Sequence, residues 1–370
     1  MSLLLAADLA LGGEIAPGWV EVDGAVVAGI AHGPAPREPD ERPDGVLAPG
    51  LCDLQVNGAA GHEVTAGAEA LDAIDALQLA HGITSYLPTL VSADDATAER
   101  ALDELGARAA DPGSPVAGVH LEGPFLSPEH PGMHPVERLR SPADGVPGWI
   151  EHPAVRLVTL APELPGAVDL IARLTQRGIA VALGHSGAGA DIARAAVDAG
   201  ARLVTHVFNA MAPLHHRAPG LAGVALTDER LWVGVIADGR HVDPVALELV
   251  RRTVGARAVL VTDATPAAGA PAGRYEMAGV AIERGADGSA RTLDGHLAGS
   301  TLTLDDALRD WHKLTAATQA ESVFAASEAP AAAVGLPTAT SARGPADLVL
   351  LDPDSGSLRR VMRAGSWLQA

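Results

Sequence analysis

Short apolar runs recur along the middle of this chain, each ending in polar side chains. Eight can be read: LCDLQVN, TSYLPTL, VAGVHLEG, VRLVTLAPE, IAVALGHS, RLVTHVFNA, LWVGVIADG and AVLVTDAT. Their ends fall near residues 57, 90, 122, 161, 185, 208, 237 and 263. Runs this short and this apolar read as strands buried on both faces. Most of the gaps hold amphipathic stretches such as ALDAIDALQLAHG and DIARAAVDAGA, which end near a glycine as helices do. Eight strand-then-helix units predict an α/β fold, a (β/α)₈ TIM-like barrel, over residues 50–335. An open doubly wound sheet is the competing topology. Residues 270–335 are expected to finish the barrel with loop and helix.

The two ends of the chain have a different texture. GWVEVDGAVVAGIA sets Asp23-Gly24 between two alternating runs, which predicts a hairpin. ADLVLLDPDSGSLRRVMRAGSWL repeats the theme near the C-terminus. Neither piece can bury a core alone, so residues 1–49 and 336–370 are expected to pair into one small β-sandwich domain.

In barrels of this kind chemistry collects at the C-terminal ends of the strands. Here those ends carry Gln55 and Asn57, Glu122, His185, His206 and Asn209, Asp238, and Asp263. The alternation in GLCDLQVNG sets Asp53, Gln55 and Asn57 along one strand face, expected to look into the site rather than into bulk water. Glu122, His185 and His206 close three different strands. One carboxylate and two imidazoles suit a catalytic divalent metal that keeps a coordination position open. Asp263 reads either as a cap for a following helix or as a proton carrier beside that metal. His241, just past the seventh strand, is placed to orient a substrate carbonyl. His120 lies two residues before Glu122 and reads as a packed, hydrogen-bonded histidine rather than a ligand.

Composition narrows the partners. The 370 residues carry a formal net charge of −20, and Lys313 is the only lysine. That field repels nucleic acid and anionic membrane surfaces. It also makes His215, His216 and Arg217, in the Pro/Gly-rich loop NAMAPLHHRAPGLAG, an uncommon local positive cluster suited to phosphate. The single cysteine, Cys52, offers no disulfide partner and suits a reducing compartment. The start MSLLLAADLALGG lacks a basic region ahead of its apolar residues, so it does not read as a signal peptide. No apolar run approaches a membrane span. A cytoplasmic location is expected.

PGLCDLQVNG, HLEGPF, GHS, THVFNAM, HHRAPGLAG, ADGRHV, LVTDAT and LAGSTLTL occur in this order over residues 49–305. The ordered set resembles the N-acetylglucosamine-6-phosphate deacetylase family of the amidohydrolase superfamily. The resemblance implies a distorted (β/α)₈ barrel, a homodimer, and removal of acetate from N-acetyl-D-glucosamine 6-phosphate. It implies that Glu122, His185 and His206 hold the metal, that Asp263 is the acid/base and that His241 meets the acetamide carbonyl. Asp238, Gly239 and Arg240 would lie beside His241. Met133, His134, Asn209, Ala210, Arg217, Leu297, Ala298 and Gly299 would contact the amino-sugar phosphate.

Many amidohydrolases end the first strand in His-x-His, which holds a second metal. Here Gln55 and Asn57 stand in those places, and neutral amides are poor zinc ligands. One divalent ion per chain is therefore expected, zinc or iron, with Gln55 as a hydrogen-bonding neighbour. The loop SPEHPGMHP carries Glu129 and His130 where relatives often have basic residues. Alternatives within enzymes are another amino-sugar phosphate, such as N-acetylgalactosamine 6-phosphate, and a cyclic amide. The alternative outside enzymes is a catalytically silent scaffold.

Overall fold

The structure is a computed structural model and describes residues 2–369. All eight expected runs form strands, in order: Leu51–Val56, Ile83–Val91, Val119–Glu122, Val155–Leu160, Ala180–Leu183, Leu203–Val204, Trp232–Val235 and Ala258–Leu260. They are numbered here as barrel strands 1 to 8. Each is hydrogen-bonded in parallel to the next, giving one eight-stranded sheet. Strands 1 and 8 are its two edges, and an isolated parallel bridge from Val56 to Ala264 draws them together. The sheet is a nearly closed barrel, not an open doubly wound one.

Burial on both faces explains the unbroken apolar runs. Leu54, Leu157, Ala182, Leu203 and Val259 pack inside the barrel with Cys52. The other face packs on helices such as Ala68–Ala80, which buries Leu71 and Ile74, and Pro244–Val254, which buries Leu247, Val250 and Val254. Asp243 caps the second of these helices by accepting the Val245 N–H at 2.8 Å. Cys52 is fully buried, and loss of hydration pushes its thiol up to about 12, so it behaves as a small apolar side chain.

The terminal strands assemble into one continuous seven-stranded sheet. From the N-terminal part come Leu3–Leu11, Glu14–Asp23, Val26–His32 and Val46–Pro49; from the C-terminal part come Leu348–Leu351, Leu358–Arg363 and Ser366–Trp367. The Asp23-Gly24 hairpin forms, with Asp23 opposite Val26 and Gly24 at φ +60°. Period-two alternation gives the sheet two apolar faces. Leu5, Leu9, Leu47, Leu348 and Leu350 make its own cluster, while Ala10, Val46, Ala48, Val349 and Leu351 join the barrel's helix-side core.

Residues 270–335 depart from expectation. Three short antiparallel strands, Gly273–Met277, Val280–Arg284 and Ala290–Thr292, precede the helices that start at Leu304. The first pair turns through Ala278 and Gly279, both at positive φ, as a tight hairpin of matched twist requires. With one side of each strand exposed, their apolar share is too small for the segment to resemble the buried strands of the barrel.

Candidate active site

The ligand-type side chains lie at the barrel mouth because the backbone kinks as it leaves the strands. His185, His206 and Asp263 sit just past strands 5, 6 and 8 at φ +49°, +26° and +50°. Non-glycine residues reach this region at a cost of about 1–3 kcal/mol each, and such strain concentrates at functional sites. Glu122 is the last residue of strand 3.

Three electron-rich atoms converge there. Glu122 Oε1 lies 3.2 Å from His185 Nε2 and 3.2 Å from His206 Nε2, and those two nitrogens are 3.2 Å apart. All three residues are buried. His185 Nδ1 is 3.0 Å from the His130 carbonyl, which can only accept, so Nδ1 carries the proton and Nε2 presents its lone pair to the cluster. Ligands about 2.0–2.1 Å from a tetrahedral zinc stand roughly 3.3 Å apart, close to the triangle observed. The donor set and its spacing therefore fit a divalent cation. Among the described residues this is the group of three or more His, Cys, Asp or Glu side chains able to close on one ion.

The opposite side of the mouth is built from amides. Gln55 Nε2 donates to Glu122 Oε1 at 2.9 Å and to Asp263 Oδ1 at 3.1 Å. Asn57 Nδ2 donates to the same Asp263 oxygen at 2.8 Å. A bridging glutamine thus answers why an amide stands at this strand end: it holds two carboxylates that would otherwise repel. Asp263 has no helix behind it to cap; it faces the cluster. Burial, then repulsion from Glu122, raises its pKa, against the pull of His206 and the Asn57 hydrogen bond. Burial also disfavours the Glu122 carboxylate, but the neighbouring His134, His185 and His206 outweigh it and hold that group well below the usual range.

His241 Nδ1 bonds Asp238 Oδ2 at 2.7 Å, and its backbone N–H bonds Asp238 Oδ1 at 2.8 Å. The carboxylate fixes the ring so that Nε2 is free for a ligand. His120 is buried between Thr89 and Thr159, at 3.2 and 2.8 Å, and burial lowers its pKa to about 4. It is a neutral, satisfied histidine one layer beneath the cluster.

Asp53 overturns the expectation that three polar residues share one face. Its register with strand 2 is irregular between Asp53 and Val56, which aims Gln55 into the mouth and leaves Asp53 wholly buried against Thr262. A pocket opens over the cluster at the barrel mouth. Asn57, Met133, His134, Asn209, Ala210, His241, Leu297 and Gly299 line it. Ala298 is fully buried behind this wall. Asp238 and Arg240 line an adjoining depression, where Arg240 bonds the Asp287 carbonyl, and Gly239 turns at φ +67° between them. Arg217 is exposed on its loop and is not part of the pocket wall.

Several contributors went unread in the sequence. His134, expected to contact the amino-sugar phosphate but not to pair with Glu122, stands 3.4 Å from Glu122 Oε2 and is held by Ser92 at 2.9 Å. Glu163 accepts from Ser186 Oγ and Gly187 N, both at 2.7 Å, and so pins the turn that carries His185. Met277 and Ala278, at the tip of the inserted hairpin, close one side of the pocket. Their strand pattern is the only signal that could have found them.

Fold and site together define a hydrolase of the amidohydrolase type, with a cation-binding cluster and a buried carboxylate at the mouth of a (β/α)₈ barrel. No protein-family model matches the chain. It is 40% identical over 331 residues to the N-acetylgalactosamine-6-phosphate deacetylase of Escherichia coli O157:H7, covering 86% of this chain and 87% of that one. It is 39% identical to the human N-acetylglucosamine-6-phosphate deacetylase, with 85% and 82% covered. A mutant of the N-acetyl-D-glucosamine-6-phosphate deacetylase of Mycobacterium smegmatis, solved in complex with N-acetyl-D-glucosamine-6-phosphate, superposes with a TM-score of 0.90 at 35% identity over 99% of both chains. The chain belongs to the N-acetylglucosamine-6-phosphate deacetylase family of the amidohydrolase superfamily.

Proposed function

We propose that this enzyme hydrolyses the acetamide of N-acetyl-D-glucosamine 6-phosphate to D-glucosamine 6-phosphate and acetate. One divalent ion per chain, zinc before iron, would be held by Glu122, His185 and His206. The observation that carries the proposal is the 3.2 Å triangle of ligand atoms with Asp263 tied to it through Gln55. An ion held there supplies Lewis acidity toward an amide carbonyl and eases ionisation of the attacking water.

The protein's own groups do the rest. Asp263 takes a proton from the attacking water and later returns it to the departing amine nitrogen. Gln55 and Asn57 keep its carboxylate aimed, and the raised pKa suits a group that must both accept and donate. His241, held in place by Asp238, is assigned to orient the acetamide carbonyl, where negative charge develops. Asn209, Ala210 and Arg217 are assigned to the phosphate and sugar, with Met133, His134 and Leu297 to Gly299 along the wall. A homodimer is proposed on the family resemblance.

Acetate release is the test. N-acetyl-D-glucosamine 6-phosphate is compared with its unphosphorylated and galacto counterparts, with and without a chelator. Chelator-sensitive hydrolysis favouring the phosphorylated gluco substrate is expected. A galacto preference would move the chain toward its E. coli O157:H7 relative. Absence of hydrolysis with metal bound would favour a silent scaffold.

A further inference from the structure

We infer that Asp53 is a positioning residue: its buried carboxylate closes the seam between barrel strands 1 and 8 and so sets the backbone that carries Asp263. The sheet leaves those strands as its two edges, with the Val56–Ala264 bridge as the backbone pairing across the seam among the described residues. Asp53 sits below that bridge with none of its surface exposed. Its Oδ2 accepts from Thr262 Oγ1 at 2.6 Å, and its Oδ1 accepts from Thr262 N at 3.3 Å and Gln55 N at 3.1 Å. One side chain therefore stands in for missing rungs of the ladder and also fixes the backbone of Gln55.

Thr262 passes the constraint on. Its hydroxyl oxygen accepts the Ala264 N–H at 3.1 Å, and its carbonyl accepts from Ser300 Oγ at 2.5 Å. Ser300 N in turn donates to the Asp263 carbonyl at 2.8 Å. The residues on both sides of Asp263 are thus anchored while Asp263 itself stands at φ +50°. A left-handed aspartate persists only where its surroundings over-determine it. Three donors converge on Asp53, which calls for an acceptor. An asparagine could still serve, because the Thr262 hydroxyl can rotate to donate to the Gln55 carbonyl, 3.2 Å away, and accept from the amide. Alanine could not.

The kinetic arm of the test rests on the deacetylase reading; a second arm does not. With metal-loaded protein, Asp53→Ala is expected to lower kcat at least 30-fold while KM stays within threefold and metal content is unchanged. Asp53→Asn is expected to recover to within about fivefold of the parent. Thr262→Val, which keeps shape and removes the hydroxyl, is expected to lower kcat about tenfold, and to add less than twofold on top of Asp53→Ala because both break the same bond. Independently of activity, amide hydrogen exchange across residues 261–264 is expected to quicken in Asp53→Ala and in Thr262→Val, with residues 155–183 unchanged.

The inference is overturned if Asp53→Ala keeps kcat within threefold, if its loss falls on KM or metal content instead, or if exchange across 261–264 is unaltered in both variants. Should Asp53→Ala not fold, Thr262→Val decides by the same two readouts. If the parent protein releases no acetate, the deacetylase reading fails, and the exchange arm alone decides this one.

Discussion

The two sides of the barrel mouth are built from the same element, the C-terminal end of a parallel strand, yet they do opposite things. Strands 3, 5 and 6 present Glu122, His185 and His206, whose lone pairs meet within 3.2 Å. Strand 1 presents Gln55 and Asn57, which meet Asp263 with N–H groups. The first side attracts a cation; the second organises a carboxylate and offers a cation little. The difference lies in a few side chains and not in the fold. A single barrel can therefore set a cluster able to hold a cation apart from a carboxylate held by amides, through the chemistry of its strand ends.

The largest expected effect comes from changing Asp263, the residue proposed as proton carrier. Asp263→Asn should leave one metal per chain by elemental analysis while turnover falls by about 10²–10⁴ or more, the scale of general acid–base catalysis. Near-normal turnover would take Asp263 out of that role. Changing the amide side into a ligand side sharpens the comparison next. Gln55→His with Asn57→His should raise bound divalent metal above one per chain, and Gln55→Leu should keep one ion but lower kcat about tenfold or more, since two carboxylates lose their shared donor.

Arg217→Ala lies outside the wall of the pocket and probes the phosphate assignment. It should raise KM for the phosphorylated sugar about tenfold or more and leave the unphosphorylated sugar nearly unaffected; equal losses on both would remove Arg217 from phosphate recognition.

A further effect, on stability and not on turnover, concerns the layer below. His120 has its pKa lowered to about 4 by burial, against about 6.5 for a free histidine. As pH falls from about 6.5 to about 4, the unfolded chain binds a proton there that the folded chain does not, so stability is lost through that window. It is fully present above it. Acid denaturation followed by circular dichroism should show a shallower slope in His120→Gln over this range than in the parent, the difference amounting to about 3 kcal/mol at most.

Much of this was legible along the chain, for reasons that differ from residue to residue. Glu122, His185, His206 and Asp263 could be read because each follows an unbroken apolar run, and parallel barrels place such ends together. Cys52 and His120 could be read because one lies in such a run and the other just ahead of a ligand, deeper on the same strand. Asp53 could not, because period two assumes an unbroken register and strand 1 has an irregular one. Glu163 and the hairpin tip at Met277-Ala278 could not, because each acts from a loop or insert whose path follows from packing.

The sequence by itself determined the number and order of the barrel strands, the assignment of the termini to a separate sheet, and the residue types at each strand end. Those follow from burial pattern and chemical identity, which are local properties. Only the tertiary structure decided which polar atoms meet. The 3.2 Å triangle, the bridging amide of Gln55, and the closure of the seam by Asp53 depend on where distant strands come to lie and on left-handed kinks that tertiary contacts sustain. Hydrogen bonds and coordination lose their value over a few tenths of an ångström, whereas apolar burial tolerates much more, and so the fold is written in the pattern while the site waits for the packing.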